Sequence, residues 1–310
     1  VIDGTAPGAE VQNTGDLTAD GGLVVLRAGA EDAWLDAVLN QTGTLRARSV
    51  ENRDGRIILS GGEVNLGGAL EASGEIDVHG AEVTVADALD VAAGDVVRLR
   101  SDGDVTVAAG MSVAGGGDSI VILRADAHGS GAGTVRFDGG TLQLDGASVS
   151  IFYNPAAPDE GEHKYQHPTL YGDWVSGGTH TAYMLVNDVH DLQAMMYNEA
   201  GTYALGRDID ARETRDWNDG EGFLPVGDYI FPFDQNGFTG TLDGQGHVID
   251  GLYINRPDMT YVGLIGNMRN GGQVRNIGLT NVDVTGYNYV GGLAGYTNQA
   301  TIENAFTTGR

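Results

Sequence analysis

The sequence predicts an all-β fold in the form of a β-solenoid, a stack of similar coils of short strands. Three observations predict it. Glycine supplies 50 of the 310 residues, well above the usual share of about 7%. Short segments rich in Val, Ile and Leu alternate with polar residues, and Gly, Asp and Asn punctuate them. Short motifs also return with a regular super-period, long enough for one full circuit of a solenoid.

The first half carries the repeats in order. Gly15-Asp16-Leu17-Thr18-Ala19 returns as Gly43-Thr44-Leu45-Arg46-Ala47 and again as Gly68-Ala69-Leu70-Glu71-Ala72. Val25-Leu26-Arg27-Ala28 returns as Ile122-Leu123-Arg124-Ala125. Strands are expected at 22–27, 56–59, 82–85, 104–107, 119–123 and 134–137. Evenly spaced short strands also suit a β-sandwich. The longer period favours coils of three strands and three turns, in which no coil buries its inner face alone. Glycine fits the corners, where positive φ is needed and a Cβ is penalised.

Residues 1–153 read as one set of coils. Residues 154–182 interrupt them with Pro155, Pro158, Pro168 and the polar run Asp159-Glu160-Gly161-Glu162-His163-Lys164, and read as a connector or excursion. Residues 183–310 then resume the coils, expected to continue the same rod. Asp188 is placed to cap a helix whose apolar side is Val189, Leu192 and Met195 or Met196, ending near Ala200-Gly201. A strand follows at 203–205. Further on, Tyr261-Val262-Gly263 recurs one period later as Tyr289-Val290-Gly291, and Asn276 and Asn304 keep the same offset.

Composition removes several function classes. There is no cysteine, so disulfides, thiolate metal sites and cysteine nucleophiles are impossible. Seventeen basic against 43 acidic residues give a net charge of −26, with Lys164 the single lysine. Such a chain repels phosphate backbones and anionic membranes, and no arginine run offsets this, so nucleic acid is not an expected partner. No apolar stretch approaches the roughly 18 residues of a membrane span, so no membrane insertion is expected. The chain starts at Val1 without a leader and stops at Arg310 within a repeat, and reads as an internal piece of a longer protein.

Two resemblances add to this. Gly43-Thr44-Leu45-Arg46-Ala47-Arg48-Ser49-Val50-Glu51-Asn52-Arg53-Asp54-Gly55-Arg56-Ile57-Ile58-Leu59 resembles the repeat region of filamentous-haemagglutinin-like exoproteins of the two-partner secretion route. The second half resembles the GLUG-motif repeats of such adhesins and of some surface immunoglobulin proteases. The motif stands as Gly263-Leu264-Ile265-Gly266 and Gly292-Leu293-Ala294-Gly295. Its preamble stands as Asp191-Leu192-Gln193-Ala194, Tyr203-Ala204-Leu205, Asp208-Ile209-Asp210 and Phe238-Thr239-Gly240-Thr241-Leu242-Asp243-Gly244. The likeness is loose over 1–150 and more specific over 183–310. It implies a right-handed parallel β-helix, export through an outer-membrane partner to the cell surface or medium, and adhesion to a host surface or an extracellular polysaccharide.

The chemistry-bearing residues each have a plainer role beside the functional one. His163 and His167 have a zinc-compatible spacing only on a helix, and Pro168 argues against one. Asp208, Asp210, Glu213, Asp216, Asp219 and Glu221 could ligate calcium, but arginines interleave them and EF-hand spacing is missing. Gly115-Gly116-Gly117-Asp118 has part of a calcium-binding nonapeptide without its spacing. Asp243-Gly244-Gln245-Gly246-His247 resembles a segment of pectin-degrading hydrolases, yet no adjacent Asp pair, Arg-x-Lys partner or serine elbow accompanies it. No catalytic, metal or cofactor residue is therefore expected, calcium being the alternative. Tyr253, Tyr261, Tyr287, Tyr289 and Tyr296 could form a sugar-binding strip; the plainer reading stacks Tyr261 on Tyr289 in successive coils. The GLUG glycines are expected to be structural, through positive φ or close backbone approach. The function expected is a non-catalytic stalk and display surface of a bacterial adhesin. The alternatives are a carbohydrate-binding module of a biofilm-matrix adhesin and a β-helix polysaccharide lyase or hydrolase.

Overall fold

The computed structural model describes residues 1–4, 9–19, 22–29, 37–47, 55–114, 119–156, 159–227 and 237–310. The Gly115–Asp118 run therefore lies outside the described residues, as does 48–54 of the haemagglutinin-like run. The fold is all-β with mainly parallel pairing, one short α-helix and a few 3-10 turns. The chain divides into two compact units. The first comprises Val1–Ala127, Ala132–Asn154 and Thr169–Tyr183, the second His128–Gly131, Pro155–Pro168 and Met184–Arg310.

In the first unit, alternation of apolar and polar residues becomes three apolar ladders. Leu26, Leu59, Val78, Leu99, Leu123 and Ile151 are successive parallel partners, all fully buried. Leu39, Val64, Val83, Val105 and Val135 form a second ladder. Leu45, Leu70, Val91, Val113 and Leu144 form the third. Each such side chain contributes about 1.5–3 kcal/mol when buried, and it meets the rung before and the rung after. Polar neighbours point outward, where Arg56 and Arg98 flank Glu75, and Arg100 pairs with Asp77 at 2.9 Å.

Two expectations need correction here. The offset between ladder partners is not constant: the circuit from Leu59 to Val78 is far shorter than the one from Leu26 to Leu59. These two fall on either side of the motif period. Only the strand positions are held in register, and the extra residues of the longer interval fall between Ala28 and Val38 and between Ala47 and Arg56. Residues 56–59 and 82–85 also prove to be parts of the long strands Arg56–Ala72 and Glu75–Ala93. Pairing continues through Gly61 and Gly80, and a register shift at Gly68, with φ of 71°, takes up an irregularity.

The tract read as a connector contributes to both cores. Strands Val175–Ser176 and Thr179–Val186 lie within or overlap it. In the first unit, Tyr171 is buried, donates its hydroxyl to the Val135 carbonyl at 2.8 Å and meets Tyr153 edge-on at 5.2 Å. In the second, buried Tyr165 donates to the Leu185 carbonyl at 2.8 Å, and Lys164 pairs with Asp191 at 2.7 Å.

The second unit holds the helix Val189–Ala194, capped as expected: Asp188 Oδ1 accepts the Asp191 N–H at 2.8 Å. The helix is shorter than the apolar spacing suggested. It tightens into a 3-10 turn over Met195–Tyr197, where the Asn198 N–H reaches back only to the Met195 carbonyl. Tyr203, Leu242 and Val274 form one buried ladder, and Ile209, Ile249 and Leu279 another. Strands Tyr253–Val262 and Gln273–Val290 pair in parallel, as do Ile265–Arg269 and Ala294–Asn298.

Candidate functional site

The C-terminal repeat makes Tyr261 and Tyr289 neighbours on adjacent strands. Thr260 pairs with Asn288 and Val262 with Val290, so the two tyrosines face each other. Their rings stack at 5.1 Å and 19°. Tyr296 closes the cluster, 5.3 Å from Tyr261 and 5.7 Å edge-on from Tyr289. Tyr287 stands apart and is 73% exposed, and Tyr253 lies under the Arg215 guanidinium at 4.1 Å. Asn276 and Asn304 likewise stack, joined by a 3.2 Å amide hydrogen bond.

Of the two reasons expected for these glycines, positive φ fails and close backbone approach holds. Gly263 and Gly291 do not have positive φ; the tyrosines two positions before them do, at 68° for Tyr261 and 53° for Tyr289. The glycines are required by proximity instead. A Cβ on Gly263 would lie 2.7 Å from the Gly291 carbonyl oxygen, and one on Gly295 would lie 2.6 Å from the Val262 nitrogen. A Cβ on Gly291 would collide with the Ala294 carbonyl. The two tetrapeptides lie side by side: Leu264 N–H donates to Gly292 O at 3.2 Å and Ile265 N–H to Leu293 O at 2.9 Å. Gly266 N–H is taken by Val226 O at 2.8 Å, while Leu264 and Ile265 are buried and Ala294 pairs with Ile265.

Beside Tyr261 the strand Tyr253–Val262 bulges. Arg256 pairs with Gly286 and Thr260 with Asn288, so Pro257, Asp258 and Met259 together stand opposite a single residue. The bulge forms one wall of a cleft of about 680 Å³, whose other lining includes Glu221, Leu224, Arg256 and Tyr261. The Arg256 side chain is 14% exposed and firmly held, donating to Glu221 Oε2 at 2.7 Å, to the Phe223 carbonyl at 3.2 Å and to the Gly222 carbonyl at 3.3 Å. This cleft was not foreseen from sequence. Pro257 inside the strand was the available signal, since proline in a strand marks an edge or a bulge.

Four of the six acidic candidates, Asp208, Asp210, Glu213 and Glu221, have basic partners. Asp208 accepts from the Val248 N–H and meets His247 Nδ1 at 3.1 Å. Asp210 pairs with Arg212 at 3.2 Å, Glu213 with His190 at 2.8 Å, and Glu221 with Arg256. Asp243 is buried in the ladder. Its Oδ2 accepts from Arg275 Nε at 2.7 Å, and its Oδ1 accepts from the Gln245 N–H at 2.9 Å and Asn276 Nδ2 at 3.2 Å. Burial pushes this carboxyl up, but the Arg275, Gln245 and Asn276 bonds outweigh it and hold it below the ordinary range. Asp250, bonded to Thr280 and Asn281, and Asp283, bonded to Arg310 and Arg215, are also held low. His163 is not on a helix; its ring stacks on Tyr197, and His167 pairs with Glu162 at 3.2 Å.

Comparison with known proteins adds three likenesses. The family described as the M26 IgA1-specific metallo-endopeptidase N-terminal region matches residues 177–309. Halomucin of Haloquadratum walsbyi is 39% identical over 141 residues, 44% of this chain and 2% of the relative. A protein described as a Gly-rich membrane protein, from Evansella cellulosilytica, is 37% identical over 105 residues, 33% of this chain and 11% of the relative. The chain thus spans a small part of both. No solved structure matches. Among the described residues no helix is long and apolar enough to cross a membrane.

Proposed function

We propose that this chain is a β-helical segment of a secreted or surface-displayed adhesin, and that it does no chemistry of its own. The carrying observation is the set of three in-register apolar ladders, Leu26 to Ile151, Leu39 to Val135 and Leu45 to Leu144. Such a three-sided parallel stack is what coils of a right-handed parallel β-helix require, and it makes a stiff carrier whose stability is spread over neighbouring rungs. The relatives' names, Halomucin and a Gly-rich membrane protein, support a place outside the cell. The engagement of Asp243 by Arg275 and of Asp208 by His247 supports a structural use for the carboxylates that a glycosidase would need. Export through an outer-membrane partner is the narrower form of the reading and rests on the resemblance of residues 43–59.

An antibody against this chain, applied to intact cells that produce the full-length protein, tests the location. Labelling of unbroken cells, or recovery of the protein from the medium, is the expected result. Signal found only after lysis would overturn the reading.

A further inference from the structure

We propose that the cleft beside Tyr261 is a binding subsite for one unit of a neutral saccharide. The proposal gives the displayed surface a ligand class, and it stands whether or not the chain is displayed.

The cleft is built rather than incidental. A bulge that sets Pro257, Asp258 and Met259 opposite a single residue holds Pro257 and Asp258 out from the sheet, both exposed. Arg256 is fixed by Glu221 and by the carbonyls of Gly222 and Phe223, which engage three of its five N–H donors. Tyr261 holds a left-handed backbone conformation, which a bulky residue keeps only where its surroundings impose it. Its ring is braced by Tyr289 and Tyr296. Tyr261, Arg256, Glu221 and Asp258 thus all line one space of about 680 Å³, within the common size range of small-molecule sites.

The lining selects the ligand. Glu221 and Asp258 outnumber Arg256 in charge, and the whole chain carries −26, so an anionic ligand is repelled. A wholly apolar ligand would strip water from both carboxylates without replacing its hydrogen bonds. Hydroxyl groups donate to Glu221 and Asp258 and accept from Arg256, while the C–H face of a pyranose meets Leu224, Pro257, Met259 and the Tyr261 ring. A neutral sugar satisfies both sets at once.

The test uses the purified chain with cellotriose, mannotriose and galactotriose, and with trigalacturonate as the anionic comparator. Saturation-transfer NMR and calorimetry should show at least one neutral trisaccharide binding with a Kd of about 0.1–5 mM. Asp258→Ala, at an exposed position, should weaken that binding about tenfold with an unchanged melting curve. Met259→Ala should weaken it less. No binding of any neutral trisaccharide at about 20 mM, or tighter binding of trigalacturonate, overturns the proposal. Binding that survives both substitutions undiminished places the sugar elsewhere and overturns it equally. These readouts come from purified protein, so they are separate from the cell-labelling result.

Discussion

Replacing Asp243 with alanine distinguishes a structural carboxylate from a catalytic one. The side chain is 7% exposed and accepts three hydrogen bonds, from Arg275 Nε, the Gln245 N–H and Asn276 Nδ2. Alanine leaves those donors without it. The Arg275 side chain, 33% exposed, regains water; Gln245 is exposed and Asn276 half-buried, so water also reaches this turn. The cost should therefore fall below that of a fully buried broken ion pair, at about 2–4 kcal/mol. Stacked rungs need not unfold as one cooperative unit, so native-state hydrogen exchange is the assay of choice. The amides of Gly244, Gln245 and Gly246, which donate to Arg275 O, Asp243 Oδ1 and Asn276 O, should exchange about thirtyfold faster or more. Asp243→Asn should cost about half as much, because one acceptor oxygen survives. Paired with Arg275→Ala, Asp243→Ala should show about 1–2 kcal/mol of coupling. Unchanged protection at 244–246 would refute the reasoning, above all if the same substitution abolished release of reducing ends from a polysaccharide.

Leu99→Ala empties a position fully buried between Val78 and Leu123 and should cost about 3–4 kcal/mol; exchange should accelerate at 76–80, 97–101 and 121–125 and stay unchanged at 202–205. Gly291→Val drives a side chain into the Ala294 carbonyl and should cost about 2 kcal/mol or more; amides 262–268 and 289–298 should lose protection while those of 56–101 keep theirs. Lowering the pH should lower the urea midpoint below about pH 4. Asp208, Asp243, Asp250 and Asp283 are all held low in the folded chain; their stabilisation is complete above the unfolded pKa and is lost as pH falls through the folded values, because the unfolded chain then binds more protons. A midpoint that rises on acidification would contradict that sign.

Where a motif repeats in adjacent rungs, the repeat itself names the contact. That is why a shared offset was enough to pair Tyr261 with Tyr289 and Asn276 with Asn304. The helix start was equally legible, because Asp188 acts on the nearby Asp191 amide. Features that depend on a non-repeating insertion were not. Residues 257–259 face a single residue of the next strand, and the Glu221 that holds Arg256 is distant in the chain without any spacing signal. The glycines show a subtler limit. Sequence can mark a glycine, but whether it serves φ or proximity depends on backbone that the motif does not name: the paired strand for Gly263, the turn three residues on for Gly291.

The uneven offsets between ladder partners, short from Leu59 to Val78 and long from Leu26 to Leu59, have a consequence for inheritance. Length changes that fall between strands leave the ladder partners aligned, so insertions and deletions there are nearly silent to the core. Duplicating a stretch of DNA that encodes one circuit lengthens the ladder by a rung that meets the same apolar faces above and below. Duplication out of phase with a circuit is different, because a slip by a single position sends a strand's whole apolar set outward. Selection on such a gene therefore reads in units of circuits rather than codons.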